Sequence, residues 1–216
     1  MALDATDMML VHRAFRREFA NIPGLIAGVP SGDTKRAKIV ADHLQFIIDG
    51  LHHHHAAEDE LAWPVLIARL PERRDEIARM AEQHEDIAAA ITRVQSDKAE
   101  WMNAVDGPTS QRLQTSVAEL ARLLVEHLDE EERVAVPIIE EHMTQAEWKA
   151  ATDRGASFLS SRPVMGIVLG GLLLDYADPG ERRSFLAGVP VPQRMLLKLL
   201  SARMAASYRR KLYGTT

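Results

Sequence analysis

The stretch LHHHHAAEDELAWP, residues 51–64, decides the fold of this 216-residue chain. His54 and Glu58 are four residues apart in it, so on a helix both side chains project from one face, about 6 Å apart. Ile47 and Leu51 place apolar side chains at helical spacing just before this pair. The stretch therefore predicts an amphipathic helix that presents an imidazole and a carboxylate to the protein core.

Residues of the same kind recur in other helical segments of the chain. His127 and Glu131 repeat the spacing of four, while His12 and His84 lie on the apolar stripes of two further helices. A buried imidazole is unfavourable unless its nitrogens are satisfied. The number of residues between each of these histidines and the nearest predicted turn, at a rise of about 1.5 Å per residue, places the histidines of the four helices at nearly the same height. We therefore expect them to meet inside a bundle.

Good helix formers dominate the composition, which favours an all-α fold. We predict an up-down-up-down four-helix bundle over residues 1–143 and a helical C-terminal extension over residues 144–216 that packs on or beside it. The first predicted helix begins near Asp4, with Thr6 or Asp7 as N-cap, and continues with a kink past Pro23. The second begins at Asp33 or Thr34 and breaks at Pro64. The third begins at Pro71, and the fourth begins at Thr109 or Ser110 and ends near His142.

The inward side chains indicate a metal site. The chain has no cysteine, and imidazole with carboxylate suits iron, manganese or zinc. Six ligands exceed what one zinc ion takes from a protein, which favours two ions over mononuclear zinc, the alternative. The predicted ligands are His12, His54, Glu58, His84, His127 and Glu131, with His55 and Glu130 as lesser candidates.

The remaining histidines of the run have a simpler interpretation. His52, His53 and His55 point away from His54 by about 100° or more along the helix, so we expect them at the surface or behind the ligands. The carboxylate of Asp59 is expected to orient a nearby imidazole.

The order of these residues resembles the hemerythrin-like, HHE cation-binding family. The resemblance covers about residues 4–143 and includes the Glu-Asp and Pro context after the histidine run. It implies two iron ions with an oxo or hydroxo bridge, with Glu58 and Glu131 bridging them and manganese or zinc as secondary occupants. It also implies oxygen, peroxide or nitric oxide as small-molecule partners.

Two positions depart from the oxygen-carrying hemerythrins. Met80 stands where their third helix has a second histidine, and Glu131 stands where their fourth helix has an aspartate one residue later. One imidazole fewer is therefore expected. Redox chemistry on oxygen, peroxide or nitric oxide is then favoured. The alternatives involve no turnover: one is sensing of iron, oxygen or redox state, and the other is iron storage. Whether the chain is an enzyme stays open.

Charge and hydropathy narrow the partners. The net charge is −5, which gives no general attraction for nucleic acid. The chain has no signal-like N-terminus, and its longest apolar run, Val164–Leu174, is far shorter than a membrane span of about 18 residues. We therefore expect a cytoplasmic protein. The basic helix predicted over Pro192–Leu212 is expected to pack its apolar side on the bundle, with an anionic membrane as the alternative. The oligomeric state is left open.

Overall fold

The computed structural model describes residues 3–214, which contain nine α-helices and no strand, so the all-α prediction is confirmed. Three short helical turns of other types lie between some of these helices: a π-turn at Glu58–Ala62, and 3-10 turns at Pro71–Arg73 and Ala156–Leu159. The α-helices are α1 (Thr6–Ala27), α2 (Thr34–Ala57), α3 (Trp63–Arg69), α4 (Arg74–Ala104), α5 (Gly107–His142), α6 (Gln145–Gly155), α7 (Pro163–Tyr176), α8 (Pro179–Gly188) and α9 (Val191–Tyr213).

The four long helices α1, α2, α4 and α5 enclose a common interior. Helix α1 packs against α2 and α5, and α4 packs against the same two helices. Two apolar clusters fill this interior. One includes Phe19, Leu44 and Trp101, and the other includes Met80 and Ile139. The histidines and glutamates of interest lie between these clusters, so the site is closed off by apolar side chains on both sides.

The starts of three helices differ from the predicted ones. Helix α4 begins at Arg74, because Pro71–Arg73 form a 3-10 turn before it. Helix α1 is preceded by Ala5, which offers no side-chain cap, and Asp7 instead accepts a hydrogen bond from the indole of Trp148. Helix α5 begins earlier than predicted, because the Asp106 side chain caps the backbone of Thr109 and a proline fits the first helical turn. The predicted continuation of α1 through its proline is confirmed.

The expected break before Pro64 takes the form of a widened helical turn. The backbone N–H of Trp63 bonds the carbonyl oxygen of Glu58, five residues earlier, and α3 follows directly. Pro64 lacks a backbone donor and therefore fits at the start of α3. Such π-turns frequently occur at functional sites, and this one begins at Glu58, a predicted metal ligand.

The C-terminal helices lie against the bundle. Helix α6 packs on α2 and the π-turn, α7 and α8 pack on α1, and α9 packs on α7 and α2. Within residues 3–214, no helix has both the length and the apolar character needed to cross a membrane.

The apolar residues of α9 divide between two sides of the helix. Leu212 is buried as expected and Leu197 is buried as well, but Leu196, Leu199 and Leu200 are exposed. The expectation that α9 packs its whole apolar side on the bundle is therefore wrong for these three leucines, because α7 occupies the opposite face of the helix.

Candidate metal centre

One group of potential ligand atoms lies between α1, α2, the π-turn and α5. His12, His54, Glu58 and Glu131 each offer one atom, and these atoms all lie within 4.8 Å of one another. The Nε2 atoms of His12 and His54 are 3.1 Å apart. His54 Nε2 lies 3.2 Å from Glu58 Oε1, and His12 Nε2 lies 3.4 Å from Glu131 Oε2. Four predicted site residues thus converge on one point.

A second group lies beside the first, toward α4. His55, His84 and His127 offer atoms that also lie within 4.8 Å of one another. The Nε2 atoms of His84 and His127 are 3.2 Å apart. The carboxylates of the first group also face these rings: Glu58 Oε2 lies 3.7 Å from His84 Nε2, and Glu131 Oε2 lies 3.3 Å from His127 Nε2. Glu58 and Glu131 therefore stand between the two groups.

His55 is buried in this cluster, so it does not lie at the surface, and it stays a lesser candidate ligand. Its ring stacks on that of His84, with centroids 4.0 Å apart. Because Glu58 follows His54 by four residues and His55 by three, both imidazoles lie on the helix face of that glutamate. The spacing of three is visible in the sequence, and it brings a fifth imidazole into the cluster. The other two histidines of the run lie outside: His52 is exposed and His53 stacks on Phe158.

Polar side chains hold the outward nitrogens of three imidazoles. His12 Nδ1 lies 3.0 Å from Glu132 Oε1, and His84 Nδ1 lies 2.8 Å from Asp59 Oδ1. Asp59 therefore orients a nearby imidazole as predicted, and this imidazole belongs to His84. Such contacts fix the ring and leave Nε2 facing the interior.

The third imidazole is held through an amide. His127 Nδ1 lies 2.9 Å from Gln83 Oε1, and the Gln83 amide donates a hydrogen bond to Glu130 Oε2 at 2.7 Å. Arg79 lies on the same carboxylate at 3.2 Å. Glu130, a lesser candidate for a ligand, thus points away from the cluster and acts on His127 through Gln83. Sequence reasoning missed Gln83 and Glu132, because their partners come from a different helix.

The cluster holds an unusual concentration of buried polar atoms without hydrogen bonds. In residues 3–214, the buried side-chain atoms that lack a partner are His55 Nε2, Glu58 Oε2, both carboxylate oxygens of Glu131, His43 Nε2 and Trp63 Nε1. Most of them belong to the cluster. Since an unsatisfied buried polar group is strongly unfavourable, the donor set fits bound cations that these atoms would contact.

The electrostatics of the cluster point the same way. Burial, together with the charge of the Glu131 carboxylate, raises the pKa of Glu58 well above its ordinary value. Burial also lowers the pKa of His54 and of His55 well below the ordinary value, and the neighbouring imidazoles add to this. Neutral imidazole is the form that binds metal, and a cation would relieve the repulsion between the two carboxylates.

A ring of four helices around four buried imidazoles, one half-buried imidazole and two buried carboxylates defines a metal-binding helical protein. Comparison with protein families agrees with this class. Residues 4–139, well over half of the chain, match the hemerythrin HHE cation binding domain. The chain therefore belongs to the hemerythrin HHE cation-binding family. Searches among curated proteins and among solved structures return no significant match.

Proposed function

We propose that this protein holds two iron ions and reacts through them with a small molecule, namely oxygen, peroxide or nitric oxide. The observation that carries the proposal is the position of Glu58 and Glu131 between two groups of imidazoles. A carboxylate with one group on each side is suited to bridging two cations, and imidazole with carboxylate is a ligand set that iron accepts.

The seven residues divide unequally between the two positions. His12 and His54 serve one position, while His55, His84 and His127 serve the other. With the two carboxylates shared, the first position has one protein ligand fewer. Its His12 side chain is fully buried, but that of His54 is 15% exposed, whereas those of His84 and His127 are 5% and 1% exposed, so solvent approaches this position past His54. We therefore assign small-molecule binding to the His12 and His54 side.

Iron bound here would supply Lewis acidity and one-electron redox chemistry. The chain's own contribution is positional. Glu132, Asp59 and Gln83 fix the rings of His12, His84 and His127 so that each Nε2 faces inward. The ring of Phe15 lies 5.5 Å from that of His54, so an aromatic side chain borders the more open position.

The direct test is reactivity of the iron-loaded chain. The protein is reduced without oxygen and then mixed with oxygen, peroxide or nitric oxide, while the absorbance spectrum and product formation are followed. We expect a reaction faster than that of the same amount of free iron in buffer, and loss of that excess rate in Glu131→Ala. A rate no greater than that of free iron for all three molecules contradicts the proposal.

A second candidate function is metal-dependent sensing, and a separate polar cluster favours it. The Tyr176 hydroxyl donates a hydrogen bond to Glu18 Oε1 at 2.8 Å, and the Tyr208 hydroxyl lies 2.9 Å from His43 Nδ1. His43 Nε2 in turn lies 3.2 Å from Glu18 Oε2. Glu18 lies on the helix of His12, and His43 on that of His54, so the extension contacts the two helices that carry the imidazoles of the first group.

Hydrogen exchange of the metal-free and iron-loaded protein tests the sensing function. If the metal orders α1 and α2, amides of α7 and α9 are expected to exchange more slowly in the loaded protein. Identical protection of residues 163–214 in the two states contradicts a sensing role for the extension.

A further inference from the structure

The outward side of the first half of α9 is strongly apolar and exposed. Val191, Met195 and Leu199 follow one another at intervals of four residues, with 63%, 59% and 74% of their surface exposed. Leu196 and Leu200 lie beside them, also exposed. Large apolar side chains that are exposed next to one another mark an interaction site in a folded protein.

The packing of α9 leaves this surface with nothing else to cover it within residues 3–214. Helix α7 meets α9 through Gly170 and Gly171, which face Leu197 and Ser201 so closely that a Cβ on either glycine would lie 2.5 Å from an atom of α9. Leu197 and Ala205 are buried on that side. Because α7 holds α9 by this face, the opposite face projects away from the bundle.

The charge around the exposed surface has one sign. Residues 182–214 contain no Asp or Glu, and their basic residues are Arg182, Arg183, Arg194, Lys198, Arg203, Arg209, Arg210 and Lys211. Of these, Arg209 is the one that forms an ion pair within the described residues, with Asp175. The whole chain is nevertheless negative, at −5. The extension therefore presents a positive, apolar end on an acidic protein.

The geometry points to an anionic lipid surface as the partner of α9. Val191, Met195 and Leu199 would enter the boundary between headgroups and acyl chains, and exposed Lys198 and Arg203 would pair with lipid phosphates. Symmetric contact with a second copy is disfavoured, because it would bring two basic rims together. Nucleic acid would use the positive charge but not the aliphatic side chains.

Vesicle flotation with the full metal-loaded chain tests this. We expect binding to vesicles of phosphatidylcholine mixed with an equal part of phosphatidylglycerol, weak binding to phosphatidylcholine alone, and release by high salt. Replacing Leu196 and Leu199 with Glu is expected to lower the binding constant at least about tenfold. Replacing Lys198 and Arg203 with Gln is expected to lower it about fivefold per charge. Val125→Glu, at an exposed apolar residue of α5, is the matched control and should bind normally.

Three results would overturn the inference. One is failure to float with the mixed vesicles, and another is equal binding by the wild type and the Leu196→Glu, Leu199→Glu variant when both show the same helical circular dichroism. The third is a stable dimer, seen by light scattering, that the leucine variant dissociates while neither form binds vesicles. That result would assign the surface to self-association.

Discussion

The imidazole rings of His55 and His84 lie parallel, with centroids 4.0 Å apart and an angle of 8° between their planes. One ring comes from the end of α2 and the other from α4, so the contact joins two helices that are distant in sequence. His127 meets the same pair edge-on from α5. This arrangement gives the second group three imidazoles and makes His55 part of the site.

Replacing His55 tests its assignment as a ligand. We expect His55→Ala to bind about one metal ion per chain where the wild type binds two, because the second position loses an imidazole whose nitrogen has no other partner. Metal analysis after gel filtration measures this. His52→Ala, at an exposed neighbour in the same run, is the matched control and should keep the wild-type content. Equal metal content in the two variants would remove His55 from the ligand set.

The Asp59 carboxylate should tune metal affinity without touching the ion. Asp59→Asn weakens the contact that orients His84, and loss of such a contact typically lowers metal affinity by about 10–100-fold. Competition with a chelator measures the change. Glu60→Gln, next in sequence but paired with Arg154 at the surface, should leave affinity unchanged. A similar loss in both variants would indicate a general charge effect.

Much of this site could be read from the sequence, because its residues follow local helical rules. The pairs His54–Glu58 and His127–Glu131 were predictable from a spacing of four, and the order of these residues along the chain carries the family resemblance. The burial of His55 could not be predicted in the same way, because its side chain points about 100° away from that of His54 along α2. Gln83 and Glu132 could not be identified, because their roles depend on which rotations of α1, α4 and α5 bring them beside an imidazole.

The C-terminal extension shows the same limit. Helices α6 and α8 begin at capping boxes, formed by Thr144 with Glu147 and by Asp178 with Glu181, which are local sequence motifs. The buried side of α9 could not be predicted, because its hydrophobic residues lie on several faces of the helix. The crossing at Gly171 decides the matter, and this contact joins residues 30 or more positions apart.

A substitution at Gly171 should therefore weaken the packing of α9 on α7. A Cβ at this position would lie 2.5 Å from the backbone oxygen of Ser201, so Gly171→Ala is expected to destabilise the protein by about 1–3 kcal/mol. Gly24→Ala, in a helix with no atom within 4 Å of the added Cβ, should instead stabilise it by about 0.5–1 kcal/mol. Urea unfolding compares the two. Equal effects would mean that α7 and α9 do not meet as described.

The Glu18 cluster predicts a pH dependence. Burial raises the pKa of Glu18, but His43, Tyr176 and Arg209 outweigh it, so the pKa lies below the ordinary value of 4.5. A carboxyl whose pKa is lowered by folding stabilises the protein fully above its unfolded value, and this stabilisation is lost as the pH falls through the folded value. Glu18→Gln should therefore destabilise the protein at neutral pH and differ less from the wild type below pH 4.5.

Urea unfolding across the acid range checks this prediction. Glu85→Gln, at an exposed carboxyl of α4, is the control and should follow the wild type at each pH. A difference between Glu18→Gln and the wild type that does not shrink on acidification would show that the ionised form of Glu18 is not the stabilising one.

The central claim is that Glu58 and Glu131 join two cations in one site. Iron analysis combined with Mössbauer spectroscopy of the oxidised, iron-loaded protein tests it most directly. The account predicts two irons per chain that are magnetically coupled, and fewer than two bound irons in Glu131→Ala. A single bound metal ion per chain, or two irons with no coupling, would contradict it.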